Sequence, residues 1–235
     1  SDVLDLLEQT SAGVVHYLSK DPFKYPGTSI NLQTGGFDKG GSFNVNMFKM
    51  DFRHAVSNDD NTFGYKFNLK YGENEDFDYP EATVAQFANE ITDAASGRVV
   101  NNIGGKLNDR NSQRGADATI YYRPSNDFSV TTVAGINEVA ANILIEATGE
   151  TRASQTVGFI QTRIQSGNLF AQYNYTDTSN PSEDKYRGYN YRTGVTSGVE
   201  SKQSQFQLQY ELAFDQINTN MSIGLENKSA KFNTD

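Results

Sequence analysis

The sequence alternates strictly between apolar and polar residues in two consecutive segments. Between residues 63 and 71 every odd position is Phe, Tyr or Leu, and the positions between them are Gly, Lys or Asn. An extended strand therefore places all the large apolar side chains on one face. Residues 43–52 alternate in the same way but change phase after Met47, which predicts a β-bulge in a long strand. Residues 57–61 are polar and acidic and are predicted to form the turn.

Similar patterns recur along the chain and predict an all-β protein. The further strand candidates are residues 28–36, 116–122, 128–136, a segment from 157 to a turn at 166–168, 169–175, 205–214 and 221–225. Together they amount to about nine antiparallel strands. A kinked connector is predicted at residues 21–27 and a Gly-rich turn at 35–41. Short helices are predicted at residues 1–10 and 84–95, and a brief strand at 14–19.

The composition limits the partners that the chain can have. It has 235 residues, no Cys and a formal net charge of −9. The acidic balance argues against nucleic acid, because phosphate binding requires clustered Lys and Arg. No segment reaches the roughly 18 apolar residues of a transmembrane helix. Without Cys there is no disulfide framework and no thiolate metal site.

The predicted connections differ between the two ends of the sheet. From the third strand onward they are long at 72–115, short at 124–127, long at 138–155, short at 166–168, long at 177–203 and short at 216–219. Outer-membrane barrels have this asymmetry, with short periplasmic turns and long extracellular loops. Single-chain bacterial barrels use an even number of strands. Because the count here is odd, we expect the sheet to be unfinished at residue 235.

Residues that carry catalysis are nearly absent from the sequence. His16 and His54 are the only histidines, and neither lies in a metal-binding spacing or beside a nucleophile motif. The Gly-rich segment 35–41 lacks the Lys-Ser/Thr ending of a phosphate loop. The acidic residues in 73–78 could hold a hard cation through carboxylate oxygens, but they lack the spacing of an EF-hand, so a solvated loop is the preferred interpretation. We therefore expect no catalytic residue, no cofactor and no metal site.

The alternating strands separate the candidate site residues into two sets. One set is expected to face lipid and comprises Phe63, Tyr65, Phe67, Leu69, Phe206, Leu208, Tyr210 and Leu212. The other is expected to face a polar lumen and comprises Lys66, Lys70, Arg123, Gln205, Gln207, Gln209 and Glu211. A soluble sheet would instead bury the first set and expose the second to water. A two-sheet core built from six or more such strands would be unusually aromatic, which favours an antiparallel transmembrane β-barrel.

Several short motifs occur in an order that resembles one family of membrane proteins. They are GVVHYLSK at 13–20, Pro22, PG at 26–27, TSINL at 28–32, FRHA at 52–55, FGYK at 63–66, YRPS at 122–125 and DF at 127–128. This order is similar to the last plug strand, the first three barrel strands and a periplasmic hairpin of TonB-dependent outer-membrane transporters of the Bacteroidota type.

The resemblance implies a partial barrel with a plug. Residues 1–27 would be the remnant of the plug domain, and residues 28–235 would be the N-terminal strands of a large outer-membrane barrel. It implies energised uptake of a nutrient ligand across the outer membrane of a Gram-negative bacterium, driven through TonB. Outer-membrane lipid is a further implied partner, together with a surface lipoprotein or other subunits of an outer-membrane complex. The family's energy-coupling box is not found in these residues.

Two other functions are compatible with the same pattern. A barrel that does not transport, and serves as a structural or assembly subunit of an outer-membrane complex, would carry the same alternation. A soluble β-sandwich binding module would carry it too, with its apolar faces buried against each other. The transported substrate is not indicated, because the loops that would select it lack distinctive motifs.

Overall fold

The computed structural model of the chain describes residues 19–39, 42–75, 110–145, 149–179, 189–190, 198–214 and 219–234. These residues form β-strands and turns, so the protein is all-β, as the alternation predicts. The helices predicted at residues 1–10 and 84–95 lie outside the described residues, and so does nearly all of the strand predicted at 14–19. In the described part of the chain, no helix is long and apolar enough to cross a membrane.

Ten strands form one antiparallel sheet. Their bounds are β1 Gly27–Lys39, β2 Ser42–Ser57, β3 Phe63–Glu75, β4 Arg110–Ser125, β5 Phe128–Ile145, β6 Gly149–Ser166, β7 Leu169–Ser179, β8 Tyr189–Asn190, β9 Val199–Phe214 and β10 Thr219–Thr234. The nine long strands follow one another across the sheet in chain order, and the two-residue β8 pairs with β6 beside this path. This is the order of a β-meander.

The two outer strands of the sheet each pair on one side. β1 pairs with β2, and β10 pairs with β9. Within the described residues the sheet is open: β1 and β10 are its two edges and do not pair with each other. All the described strands belong to this one sheet, so this part of the chain does not form the two-sheet sandwich that the soluble alternative requires.

The hairpin formed by β5 and β6 corrects a sequence prediction. Residues 138–155 are predicted to be a long loop, but the two strands continue until only residues 146–148 separate them. The alternation of large apolar and polar residues is lost here because small residues take their place: Ala140 lies opposite Ser154, and both are buried. Pairing persists because it depends on backbone hydrogen bonds, and a segment without Pro can supply them at every residue.

The Gly-rich turn predicted at residues 35–41 is also shorter than expected. β1 continues to Lys39, which leaves residues 40–41 between β1 and β2. A Cβ added to Gly35 would come within 2.8 Å of the terminal methyl carbon of Met47 on β2. Gly35 therefore permits a close approach inside the strand instead of ending it.

The predicted β-bulge is present in β2. The pairing register shifts between Gly35 and Gly36, whose partners are Met47 and Val45, so Asn46 is the extra residue. The sequence pattern predicts the change of phase one residue later. The bulge allows apolar residues at odd positions before it and at even positions after it to lie on the same face of the sheet.

Three short turns lie where the sequence predicts them. They comprise residues 58–62, 126–127 and 167–168. In the first turn, the Asn58 side chain accepts hydrogen bonds from the backbone N–H groups of Thr62 and Phe63, both at 2.9 Å. Asn favours turns for this reason, because its side-chain oxygen can take the place of a backbone acceptor.

The two ends of the sheet differ in their connections. At one end, called here the short-turn end, the strands are joined by residues 58–62, 126–127, 167–168 and 215–218. At the opposite end, called the loop end, they are joined by residues 40–41, 76–109, 146–148 and 180–198, the last containing β8. The short-turn end agrees with the prediction. The loop end combines two long and two short connections, so it is less uniform than predicted.

Candidate functional site: the two faces of the sheet

The antiparallel register assigns every residue of the long strands to one of two faces. Residues that are partners across neighbouring strands lie on the same face. We call the face that carries Phe63 and Tyr65 the apolar face, and the face that carries Lys66 and Gln209 the polar face. Both can be followed from β1 to β10 through the continuous pairing.

The residues expected to face lipid all lie on the apolar face. They are Phe63, Tyr65, Phe67, Leu69, Phe206, Leu208, Tyr210 and Leu212. Phe63 and Tyr210 are 43% and 45% exposed, and Leu225 on β10 is 62% exposed. A large apolar surface is therefore uncovered across the described sheet.

The apolar residues of β3, β4, β5 and β7 form a band that ends at nearly the same level on these strands, whereas on β2 the apolar positions continue to Phe48 and Val45. On β3 the band covers residues 63–71, and Tyr71 pairs with Arg114 on β4. Arg114 in turn pairs with Glu138 on β5, and on β7 the apolar positions end before Asp177. The length of the band matches the roughly 9–11 residues that a tilted strand needs to cross a bilayer.

Aromatic rings contact one another within this band. The ring centroids of Phe52 and Phe67, on β2 and β3, are 6.5 Å apart. Tyr122 and Phe128 meet edge to face at 6.4 Å beside the short turn between β4 and β5. Edge-to-face pairs contribute beyond the area they bury. These contacts tie neighbouring strands together on a face that lacks a covering layer in the described part of the chain.

His54 lies on the apolar face, and His16 lies outside the described residues. The Nδ1 atom of His54 is 2.8 Å from the Thr28 hydroxyl, and its ring centroid is 6.0 Å from that of Tyr65. These contacts join β1, β2 and β3. Among the described residues, no group of three or more His, Cys, Asp or Glu side chains is arranged to hold a metal ion.

The residues expected to face a lumen all lie on the polar side of the sheet. They are Lys66, Lys70, Arg123, Gln205, Gln207, Gln209 and Glu211. Lys66 and Gln209 are 3% and 7% exposed, whereas Lys70 and Glu211 are exposed. The described sheet thus buries polar side chains while it exposes large apolar ones, which is the reverse of a soluble sheet.

A row of hydrogen-bonded side chains crosses the polar face from β6 to β10. Gln161 donates to Asn174 at 2.6 Å, and Asn174 donates to Gln205 at 3.4 Å. Gln205 donates to Glu226, which also forms an ion pair with Lys228 at 2.9 Å. We call these residues the amide row. Each amide in it can donate and accept at once, so neighbouring strands satisfy one another's polar groups.

Residues 19–26 lie against the polar face over β2, β3 and β4, and we call them the docked segment. The segment is folded by two hydrogen bonds to Asp21: its carbonyl accepts from the Tyr25 N–H at 2.9 Å, and its side chain accepts from the Phe23 N–H at 2.8 Å. Pro22 in this turn is fully buried. The sequence predicts only a kinked connector here, so the docking is found from the structure alone.

Lys66 binds the start of the docked segment. Its ammonium group donates to the Ser19 hydroxyl at 2.5 Å and to the Lys20 carbonyl at 3.3 Å. The ammonium nitrogen also lies 5.5 Å from the centre of the Tyr121 ring, within reach of a cation–π interaction. Of the predicted lumen-facing residues, Lys66 is therefore the one that holds the first residues of the docked segment.

The Phe23 ring occupies a slot in the polar face. The Arg123 guanidinium carbon lies 3.5 Å from its ring centroid, and the Tyr121 ring meets it at 6.0 Å in an edge arrangement. Gly64 forms the floor of the slot, because a Cβ there would be 3.1 Å from the Phe23 ring. Arg53 donates to the carbonyl of Tyr25 at 2.7 Å and so fixes the far end of the segment.

Two hydrogen-bonded pairs of polar residues lie beyond the apolar band at the loop end. They are formed by Asn111, Thr151, Arg152 and Asn190, of which the last three are buried. The side-chain oxygen of Asn111 accepts from Arg152 at 3.4 Å, and Asn190 donates to the Thr151 hydroxyl at 3.0 Å. These residues fall within the predicted long loops, and no local pattern in the sequence indicates them. Their contacts join β4, β6 and β8 at this end of the sheet.

Comparison with known proteins does not identify a relative. No protein-family model matches the sequence, and no curated protein and no solved structure matches it either.

Proposed function

We propose that this chain is the N-terminal part of a plugged outer-membrane β-barrel that takes up a nutrient ligand by TonB-dependent transport. In this proposal residues 28–235 supply the first strands of the barrel wall, and residues 1–27 are the end of the plug. The apolar face contacts outer-membrane lipid and the polar face lines the lumen. The protein performs no covalent chemistry, and the barrel resides in the outer membrane of a Gram-negative bacterium.

The inverted distribution of side chains is the observation that supports the proposal most directly. Among the described residues, the buried hydrophobic ones are Ala55 and Ala140. A soluble domain gains much of its folding free energy from burying large apolar side chains, about 25 cal/mol per Å² removed from water. Here those side chains are uncovered on one continuous face. Lipid would supply the apolar surroundings that they lack.

The dimensions and the ends of the sheet also support a membrane wall. The apolar band has the length expected of a spanning strand, and charged residues follow it at the loop end. Every connection at the short-turn end is short, whereas two connections at the loop end are long. Bacterial barrels place short turns in the periplasm and longer loops outside. The proposal therefore assigns the short-turn end to the periplasmic side.

The position of the docked segment supports the presence of a plug in the proposed barrel. It precedes β1 and lies on the polar side of the sheet, where the chain of a plug must enter the wall. Together with the order of motifs that resembles TonB-dependent transporters, this position favours a plugged transporter over an empty pore. The proposal leaves the nature of the ligand open.

Single-cysteine labelling tests the assignment of the faces. The chain contains no Cys, so each variant carries one reactive thiol. An environment-sensitive fluorophore is attached to Tyr65→Cys or to Lys70→Cys in the protein reconstituted into lipid vesicles. We expect lipid-borne quenchers to quench the label at position 65 and aqueous iodide to quench the label at position 70. Equal access of iodide to both positions would show that the apolar face does not contact lipid.

Labelling in living cells tests transport separately. Gln207→Cys lies on the polar face, and Tyr210→Cys is a matched control on the apolar face of the same strand. If the plug moves during energised uptake, a membrane-impermeant maleimide labels position 207 faster in energised cells than after a protonophore or without TonB. Position 210 should not respond. Identical labelling of position 207 under all conditions would favour the non-transporting structural or assembly barrel.

A further inference from the structure

We infer that the docked segment is a fixed anchor, which stays bound to the polar face when the plug is displaced during transport. The bound state is evident from the contacts of residues 19–26. The displacement of the plug rests on the proposed function, in which residues 1–27 are the end of the plug. In this arrangement Lys66 would hold the first residues of the anchor.

Three cationic side chains from three neighbouring strands converge on the anchor. Lys66 on β3 binds its first two residues, Arg123 on β4 covers the Phe23 ring, and Arg53 on β2 binds the carbonyl of Tyr25. The start, the middle and the end of the segment are therefore each held by a different strand. Release of the segment requires all three contacts to break.

The contacts of the Lys66 ammonium group favour the bound state. The partners of its ammonium group in the described part of the chain are the Ser19 hydroxyl, the Lys20 carbonyl and the Tyr121 ring. A buried charge is stable only when such groups replace the water it has lost. If the segment left, the ammonium group would lose two hydrogen bonds, and water would have to replace them.

The shape of the slot adds specificity to these charged contacts. Gly64 leaves room for one ring, and the Phe23 ring fills that room between Arg123 and Tyr121. The anchor covers β2, β3 and β4 only, whereas the amide row lies on β6 to β10. When the plug is displaced, the path that opens should therefore run along the amide row and not beneath the anchor.

Hydrogen exchange of the full chain in detergent micelles tests the anchor. In the wild type, we expect the amides of Phe23 and Tyr25 to exchange within about tenfold of the rates of amides in the centre of β3. Lys66→Met should accelerate exchange at both amides by about tenfold to a hundredfold, because hydrogen bonds to a charged group are lost. Lys70→Met is the matched control on the same strand and face, where the side chain is exposed, and it should leave both rates unchanged.

The outcomes of these experiments separate a failure of the anchor inference from a failure of the proposed function. Wild-type amides that exchange as fast as those of an unstructured peptide would overturn the inference, and so would a Lys66→Met variant with unchanged rates. If Lys66→Met does not fold, Phe23→Ala removes the ring from the slot and is expected to accelerate trypsin cleavage after Lys20 and Lys24 instead. The lipid labelling of Tyr65→Cys does not depend on the anchor, so a failure of the proposed function appears there alone.

Discussion

The polar face of the sheet carries the docked segment in one region and a row of mutually bonded side chains in another. On β2, β3 and β4 it lies beneath the docked segment, and we call this region the anchored wall. On β6, β7, β9 and β10 it carries the amide row, and we call this region the amide wall. In the anchored wall, Lys66, Arg53 and Arg123 bind polar groups and a ring of the docked segment. In the amide wall, side chains bind one another across the strands.

The difference shows two ways in which a sheet can satisfy a row of polar groups. Long cationic side chains reach away from the sheet and need a partner that lies above it. Amides are shorter and both donate and accept, so they can be satisfied within the plane of neighbouring strands. The cationic side chains of the anchored wall therefore need the docked segment as a partner, whereas the amides of the amide wall are hydrogen-bonded to one another without such a partner. Among the described residues, the amide wall is therefore the part of the polar face that the docked segment does not cover.

The largest expected effect tests whether the apolar face of the amide wall contacts lipid. Leu208→Arg places a charge on the apolar face of the amide wall, and Gln207→Arg places the same charge on its polar face. In lipid vesicles, Leu208→Arg should lower the free energy of unfolding by about 2–4 kcal/mol if the site lies near the bilayer midplane. Gln207→Arg should lower it much less, because the polar face does not contact lipid. Equal losses would mean that the apolar face of the amide wall does not contact lipid.

An intermediate loss of stability is expected for a variant that tests how tightly the Phe23 ring fits its slot. Gly64→Val introduces a side chain beneath the Phe23 ring, and even its Cβ would lie only 3.1 Å from that ring. We expect a loss of about 1–3 kcal/mol in the free energy of unfolding, as for overpacking of a tight site. Gly72→Val is the control on the same strand and face, where the nearest atoms would be 3.9 Å away. Chemical denaturation that finds the two variants equally stable would contradict a tight slot.

The smallest expected effect is the difference in stability between two Asn-to-Ala variants, one in each wall. Asn68 donates to the Asp117 carboxylate at 2.6 Å in the anchored wall, and Asn174 bonds to neutral amides in the amide wall. Asn68→Ala should cost about 1.5–3 kcal/mol, because its partner is charged, and Asn174→Ala about 0.5–1.5 kcal/mol. The difference can be measured by urea unfolding in micelles. A larger loss for Asn174→Ala would show that the charged partner of Asn68 does not make its hydrogen bond the stronger of the two.

Strands and turns follow from the sequence wherever the local pattern determines them. Alternation locates β3 and β9 because a period of two residues fixes which side chains share a face. The bulge is found within one residue because Val45 and Phe48 must both reach the apolar face. The long hairpin of β5 and β6 is missed because its pairing continues through small residues such as Ala140, where the backbone alone provides the interaction.

The docked segment escapes sequence-based prediction for a different reason. The contact between Ser19 and Lys66 joins residues far apart in the chain, and neither residue carries a local signal for it. The alternation correctly places Lys66 on the polar face, but the identity of its partner depends on the path of the chain that precedes β1. Position on a face is a local property, whereas occupancy of that face depends on tertiary structure.

The order of the strands has a consequence for how the sheet assembles. Most neighbours are hairpins, joined by connections such as residues 58–62 and 126–127, and such pairs form quickly because little chain entropy is lost. Pairing of β3 with β4 must instead close residues 76–109, and the entropy of closure grows with the logarithm of loop length. Folding should therefore begin independently in hairpins on either side of this loop. Joining β3 to β4 is then the late step that unites the anchored wall with the rest of the sheet.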